Sequence, residues 1–275
     1  VENLGAVHEI SALGRRELDL MDSDRVLDVL RAKKFDAVVH AATYDAAPKH
    51  SVKDPAKVME SNLRMFFNLV RGRQHFGKLI YFGSGAEFGR EYWKPKMTEA
   101  YFDEHVPSDQ YGFSKYMMTK HAFLSWGIYN LRLFGVFGKY DDWRTRFIPN
   151  ACCQAVLDRP IKMERNRLRD FLFVGDLARI VRWFLEHTPK ESAYNVCSGD
   201  VRDYEGIARD ILRISGKNSL GTKSAFAGLG PEYSGDNSRL LAEIEGFTFT
   251  PFESALTGLY EWHSSNARDI DAAAL

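Results

Sequence analysis

The sequence predicts an α/β protein built on a doubly wound parallel sheet, and three observations predict it. Short apolar runs rich in β-branched and aromatic residues, such as Asp36–Ala42 and Lys78–Phe82, recur along the chain. Between them lie longer stretches with apolar residues at helical spacing. The two patterns alternate through the first half, the order that packs helices against both faces of a sheet. With 275 residues and 45% hydrophobic content, the chain buries a full core and accommodates one large domain or two small ones.

The elements follow in order. His8–Gly14 reads as a strand running into Arg15–Leu20, and Val1–Ala6 as the tail of a preceding helix. Asp22, Ser23 and Asp24 offer N-caps to a helix through about Lys34, with Val26, Leu27 and Leu30 on one face. Asp36–Ala42 is apolar enough for a strand buried on both faces. A helix from Asp54 to about Phe76, a strand at Lys78–Phe82, a helix over Ser108–Leu124, a strand at Tyr129–Phe134 and a helix at Phe147–Leu157 continue the alternation. Beyond Arg159 the pattern loosens. Leu168–Asp176 leads into a helix ending near His187, followed by a strand at Ala193–Cys197 and a helix over Tyr204–Ile214. The Gly- and Ser-rich interval Ser215–Gly235 reads as loops around a short strand, Ser224–Ala227, and a last helix spans Phe252–His263.

Composition narrows the function. Net charge is zero without a long basic run, which gives no electrostatic case for nucleic acid or an anionic membrane. Cys152, Cys153 and Cys197 have no metal-ligand spacing and read as buried thiols, so no metal is expected. No apolar run approaches the ~20 residues of a membrane helix and no signal peptide opens the sequence. The expectation is a soluble protein of the reducing cytoplasm.

The chemistry concentrates at Tyr111-Gly112-Phe113-Ser114-Lys115 and at Ser84, which closes the run Ile80–Ser84. On a helix, Tyr111 and Lys115 stand one turn apart on one face. A cation beside a phenol favours the phenolate, which makes Tyr111 a candidate general acid or base. Ser84, at a strand end, is placed to hold a carbonyl or hydroxyl for it.

Ser84 with Tyr-x-x-x-Lys resembles the short-chain dehydrogenase/reductase family, and within it the extended epimerase/dehydratase branch that acts on nucleotide sugars. The resemblance runs from His8 to about His263 and rests on the ordered set Ser84, Tyr111, Lys115, Arg132 and Arg169. It implies a dinucleotide-binding part at 1–138 and a mainly substrate-binding part at 139–275, with strands possible that return to the first sheet. Arg15 and Arg16 follow the strand that meets the adenosine ribose in such folds, where arginine accommodates the 2'-phosphate of NADP; a solvated basic turn is the plain alternative. Asp19 and Leu20 resemble adenine-side contacts, although an Asp at a turn equally caps backbone amides. His40-Ala41-Ala42 resembles the strand end that lies against the cofactor, and Asn62 an Asn behind the site, for which a structural hydrogen bond is the alternative. The cofactor expected is NADP, with NAD admissible. Arg169, in Arg169-Asp170-Phe171, resembles the arginine that reaches the sugar-nucleotide phosphates, a task suited to the guanidinium fork; Arg239 and Asn150 are further substrate candidates.

Departures from the family pattern sharpen this. Gly85 and Ala86 stand where 4,6-dehydratases carry an acidic pair, which argues against dehydration. Fucose-synthase-type enzymes have a Cys at the position of Ala86, and it is absent. The Gly-rich turn that opens dinucleotide folds does not precede His8. The resemblance therefore implies an NAD(P)-dependent enzyme, first a reductase of a 4-keto-6-deoxy nucleotide sugar, second a nucleotide-sugar 4-epimerase; a catalytically silent binding or scaffold relative is the reading from another class. It also implies a homodimer through the helices of Asn62 and Tyr111, with Met65, Phe66, Met117 and Met118 as apolar surface.

Overall fold

The computed structural model describes residues 2–46 and 51–275. Its centre is a parallel sheet of four strands in the order β1 (Ala37–His40), β2 (Lys78–Ser84), β3 (Ile128–Leu133) and β7 (Ala193–Val196). Register aligns Ser84 with Leu133 and Leu133 with Val196, so these residues share the C-terminal edge of the sheet. Alternating side chains serve opposite faces. Leu79 and Tyr81 meet helices α1 (Ser23–Lys33), α2 (Val58–Arg71) and α3 (Gln110–Phe123), whereas Ile80, Tyr129, Leu131 and Tyr194 meet α5 (Val174–Glu186) and the short α7 (Ser238–Glu243). Strands β2, β3 and β7 are thus covered on both faces, as parallel sheets require.

Local signals explain most of the elements. Asp22 caps α1 by accepting from Arg25 N at 3.0 Å, and Val26 and Leu30 on its inner face are buried. Asp109 caps α3 through Gly112 N at 2.9 Å. The short parallel pair β4 (Val136–Phe137) and β6 (Leu172–Phe173) carries the chain toward a second sheet. There β5 (Ile161–Asp170) lies between β8 (Val201–Asp203), antiparallel, and β9 (Thr222–Tyr233), parallel. Helices α4 (Phe147–Val156), α6 (Tyr204–Ile214) and α8 (Phe252–Ser265) close a separate core around Ile161 and Met163.

Five expectations need correction. His8–Gly14 joins no sheet: among the described residues no strand takes its backbone hydrogen bonds, and Ile10 and Leu13 stay 37% and 40% exposed. The segment before it forms hydrogen-bonded turns rather than a helix, with Val7 N and His8 N both donating to Leu4 O. β1 is half-covered instead of buried on both faces, with Val39 exposed and only His40 buried. The interval read as loops around a short strand at Ser224–Ala227 carries instead the long strand β9 over Thr222–Tyr233, because pairing with β5 outweighs the weak strand preference of Gly and Ser. Gly228 and Pro231 fall where the register shifts: Gly228 (φ +83°) lies between the partners of Arg165 and Asn166, and Pro231 between those of Arg167 and Arg169. Of the side chains assigned to a dimer surface, Met65, Phe66 and Met118 are buried within the chain, and Met117 is partly buried against the cluster that holds Phe88 and Met97.

Candidate active site

Ser84 ends β2 and at once caps a short 3₁₀ turn, Gly85–Phe88. Its Oγ accepts from Ala86 N at 3.2 Å, and Glu87 Oε1 accepts from Ser84 N at 2.9 Å, a reciprocal capping box. Glu87 is fully buried and anchored below: Arg132 Nε donates to it at 2.9 Å, Thr119 Oγ1 at 2.8 Å and Asn130 Nδ2 at 3.0 Å. Arg132 also donates to Asn195 Oδ1 at 3.1 Å and lies over the rings of Phe88 and Phe102. Every side of the buried carboxylate therefore meets a donor, and the strand end carrying Ser84 is braced through Glu87. Arg132 belongs to this brace beneath the site. Sequence reasoning missed Glu87, although the Ser-x-x-Glu spacing at 84–87 signals it.

Tyr111 reaches Ser84 because the first turn of α3 packs directly on the 3₁₀ turn. A Cβ on Gly112 would stand 2.6 Å from Ala86 O, so only glycine permits that approach. Lys115, one turn on, is buried; its Nζ donates to Phe82 O at 2.8 Å and lies 5.8 Å from the Tyr111 ring centre. Burial pushes the Tyr111 phenol up to about 12, with Tyr233, Asp45 and Glu87 adding to the rise and the Ser84 hydroxyl opposing it. Burial also pulls Lys115 down to about 8, opposed by Glu87. Burial is the largest influence on the phenol in this structure. At neutral pH this favours the protonated phenol.

The cofactor-side candidates separate. His40, at the end of β1, is buried and kept neutral by burial, its pKa lowered to about 3 with the Lys115 charge adding to the effect. Neither of its ring nitrogens has a partner among the described residues. Ala41 and Ala42 follow it, exposed at the sheet edge. Asn62 is buried and staples the next loop, accepting from Tyr44 N at 2.7 Å and donating to Tyr44 O at 3.0 Å. Arg15 and Arg16 lie on an exposed turn, where Arg15 pairs with Asp19 at 3.3 Å. Asp19 accepts from Met21 N at 3.0 Å, which holds its carboxyl below the usual value, and Leu20 O accepts from Asn68 Nδ2 at 2.7 Å.

On the substrate side, Arg169 comes to the site and two other candidates do not. Its guanidinium lies 5.1 Å over the ring of Tyr233, and its Nε is buried without a partner. Asp170 is not its partner: that carboxylate accepts from Ser198 N, Ser198 Oγ and Gly199 N, each at 2.7 Å. Asn150 is engaged within its own surroundings, donating to Trp143 O and accepting from Gln154 Nε2. Arg239 donates to Ala193 O at the start of β7 and sits 3.8 Å from Glu99, at the opposite end of that strand from the site. Tyr233 and Trp93, which the sequence did not single out, complete the cluster. Tyr233 is buried with its hydroxyl end against Gly85, the residue after Ser84, and the Trp93 ring lies on it with 4.0 Å between centres. No local pattern marks either residue.

Comparisons with known proteins agree with this geometry. The chain is 29% identical over 291 residues to a UDP-glucose 4-epimerase of Lactobacillus helveticus, covering 92% of this chain and 84% of the relative. It is 27% identical over 221 residues to a GDP-6-deoxy-D-mannose reductase of Pseudomonas aeruginosa, covering 71% and 69%. Among solved structures, a GDP-mannoheptose C4 reductase from Campylobacter jejuni with NADP bound superposes with a TM-score of 0.80 at 16% identity, covering 95% and 93% of the two chains. A UDP-glucose 4-epimerase from Thermotoga maritima with UDP-glucose gives 0.77 at 18% identity, covering 96% and 89%. The sequence model of the NAD dependent epimerase/dehydratase family matches residues 2–197. With most of its length matched and its Ser, Tyr and Lys gathered at the edge of a doubly covered parallel sheet, the chain belongs to the NAD dependent epimerase/dehydratase family.

Proposed function

We propose that this protein reduces the keto group of a 4-keto-6-deoxy nucleotide sugar with NADPH. The observation that carries this reading is the Ser84–Tyr111 pair at the C-terminal edge of the sheet, with Tyr111 held protonated and Lys115 one turn away. Ligands of open α/β sheets bind outside that edge.

The residues present fit a nicotinamide dinucleotide. His40 offers two buried nitrogens without partners, and Ala41 and Ala42 leave the backbone beside it uncovered. Lys115, with one donor committed to Phe82 O, keeps two more for a ribose. Arg15 and Arg16 are exposed and suit the 2'-phosphate of NADP. The reduced nicotinamide, when bound, supplies the hydride. Ser84 and Tyr111 grip the sugar oxygen, and Tyr111 gives it a proton, the role open to a neutral phenol. Arg169 takes the substrate's phosphates through its partnerless edge. In this reading residues 1–138 form the cofactor half, and 139–275 supply most of the substrate half.

A nucleotide-sugar 4-epimerase is the second reading, favoured by the 29% identity to such an enzyme over most of both chains. The two separate on mixing the protein with a 4-keto-6-deoxy nucleotide sugar and NADPH while following nicotinamide absorbance. Stoichiometric loss of NADPH, faster than loss of NADH, is the expected outcome. Isomerised sugar without net loss of NADPH would contradict the reductase.

A further inference from the structure

One face of β5 changes character halfway along the strand. Ile161 and Met163 are buried in the core closed by α4, α6 and α8. Because side chains alternate along a strand, the next three on the same face are Arg165, Arg167 and Arg169. Pairing with β9 sets Phe226 beside Arg165, Gly230 beside Arg167 and Tyr233 beside Arg169. The Arg165 guanidinium lies 5.6 Å over the Phe226 ring, and that of Arg169 5.1 Å over Tyr233. A Cβ on Gly230 would stand 3.1 Å from Arg167 Cγ and 3.5 Å from Arg165 Cδ, so the bare glycine gives both arginine stems room.

Three guanidinium groups in a row repel one another unless anions lie between them. The chain's own carboxylates supply little of that charge. Arg167 pairs with Glu164 at 3.2 Å, but that carboxylate is 70% exposed and the pair is weakened by water. Arg165 and Arg169 have no carboxylate partner among the described residues, and Arg169 Nε is buried without any partner. Nearby acids are engaged elsewhere: Asp170 accepts from Ser198 and Gly199, and Asp200 from Arg202.

The row also has a direction. At its inner end Tyr233 lies against Gly85, where a Cβ would come within 2.6 Å of Tyr233 Oη, so Arg169 is the member nearest the strand end that carries Ser84. Arg165, four residues back, stands about 13 Å farther out at ~3.3 Å per residue. There the row ends on Phe226, a ring 53% exposed.

We propose that this row binds the nucleoside diphosphate of the substrate end to end: Arg169 takes the phosphate bonded to the sugar, Arg167 the phosphate beyond it, and the Arg165–Phe226 pair the nucleoside. The row rests on the function proposed above and extends it from one arginine to a strand. Guanidinium forks match phosphate oxygens, and an exposed aromatic ring offers a base a flat apolar surface. The diphosphate brings the negative charge that the row lacks. Recognition of a nucleotide-linked sugar over a free sugar then resides in β5 and its partner strand.

Calorimetric titrations with UDP, GDP, ADP and dTDP, and with the corresponding monophosphates, test the row, with NADPH in excess so that the cofactor half is occupied. For the diphosphate that binds tightest, Arg167→Gln is expected to weaken it and its monophosphate alike, by roughly 10- to 100-fold, the scale of a charged hydrogen bond. Arg169→Gln is expected to weaken the diphosphate by a similar factor and to leave the monophosphate unchanged. Phe226→Ala is expected to weaken both by roughly 5- to 50-fold, the scale of one stacked base. Wild-type affinity for the diphosphate in Arg167→Gln or in Phe226→Ala would overturn the row and leave the proposed function standing. Failure of the wild-type protein to bind any of the four diphosphates would overturn the proposed function, and the row with it.

Discussion

The two sheets contribute to one site in different ways. In the parallel sheet, β3 and β7 are buried along nearly their whole length, and Ser84 is held from below by Glu87, Arg132, Asn130 and Thr119. In the second sheet, β9 is exposed from Lys223 to Leu229 and is buried only near its end, where Tyr233 meets Gly85. The first sheet holds Ser84 over a buried polar core in which the Glu87 carboxylate meets donors from Arg132, Thr119 and Asn130. The second delivers Arg169 and Tyr233 from strand ends. Depth of support thus separates the part of the site that holds Ser84 in place from the part that carries the Arg169 guanidinium.

The largest effect follows from that depth. Arg132→Met leaves the Glu87 carboxylate buried without its cation, and removing one partner of a buried pair costs about 3–5 kcal/mol. Urea unfolding is expected to show that loss. A change below about 1 kcal/mol would mean that the brace contributes little, and the contrast between the sheets would fail.

A smaller effect sharpens the same contrast. Lys115 has a pKa of about 8 in the folded protein against an ordinary 10.5. Below pH 8 both states carry the proton, and the folded state bears the cost of a buried ammonium. Between pH 8 and 10.5 the unfolded chain holds more protons, so stability rises with pH through this window. The gap corresponds to at most about 3 kcal/mol. Lys115→Met is expected to raise stability at pH 7 and to flatten the rise, as read by denaturant titrations at several pH values. A wild-type profile flat from pH 8 to 10.5 would contradict the burial argument.

Legibility in the sequence divides along the same line. The strands at Lys78–Phe82 and Tyr129–Phe134 could be read because burial on two faces demands continuous apolar runs, and Tyr111 and Lys115 because helical spacing alone makes them neighbours. β9 could not be read, since Gly228 and Pro231 serve register shifts visible only once β5 lies beside it. Tyr233 was hidden for a related reason. Its partner is an absence at Gly85, which the sequence presents as a lost acidic side chain and the fold presents as room for a phenol. Arg239 and Asn150 show the reverse: residue types suited to a ligand that the fold engages with its own backbone and side chains.

Steady-state kinetics of Tyr111→Phe and Arg169→Leu, measured side by side with the nucleotide sugar, test the division of labour most directly. Tyr111→Phe removes the proposed proton donor and is expected to lower kcat roughly 10²- to 10⁴-fold with KM little changed. Arg169→Leu removes a charged contact and is expected to raise KM roughly 10- to 100-fold with kcat nearly kept. Retention of wild-type kcat by Tyr111→Phe, or a loss confined to kcat in Arg169→Leu, would contradict the account.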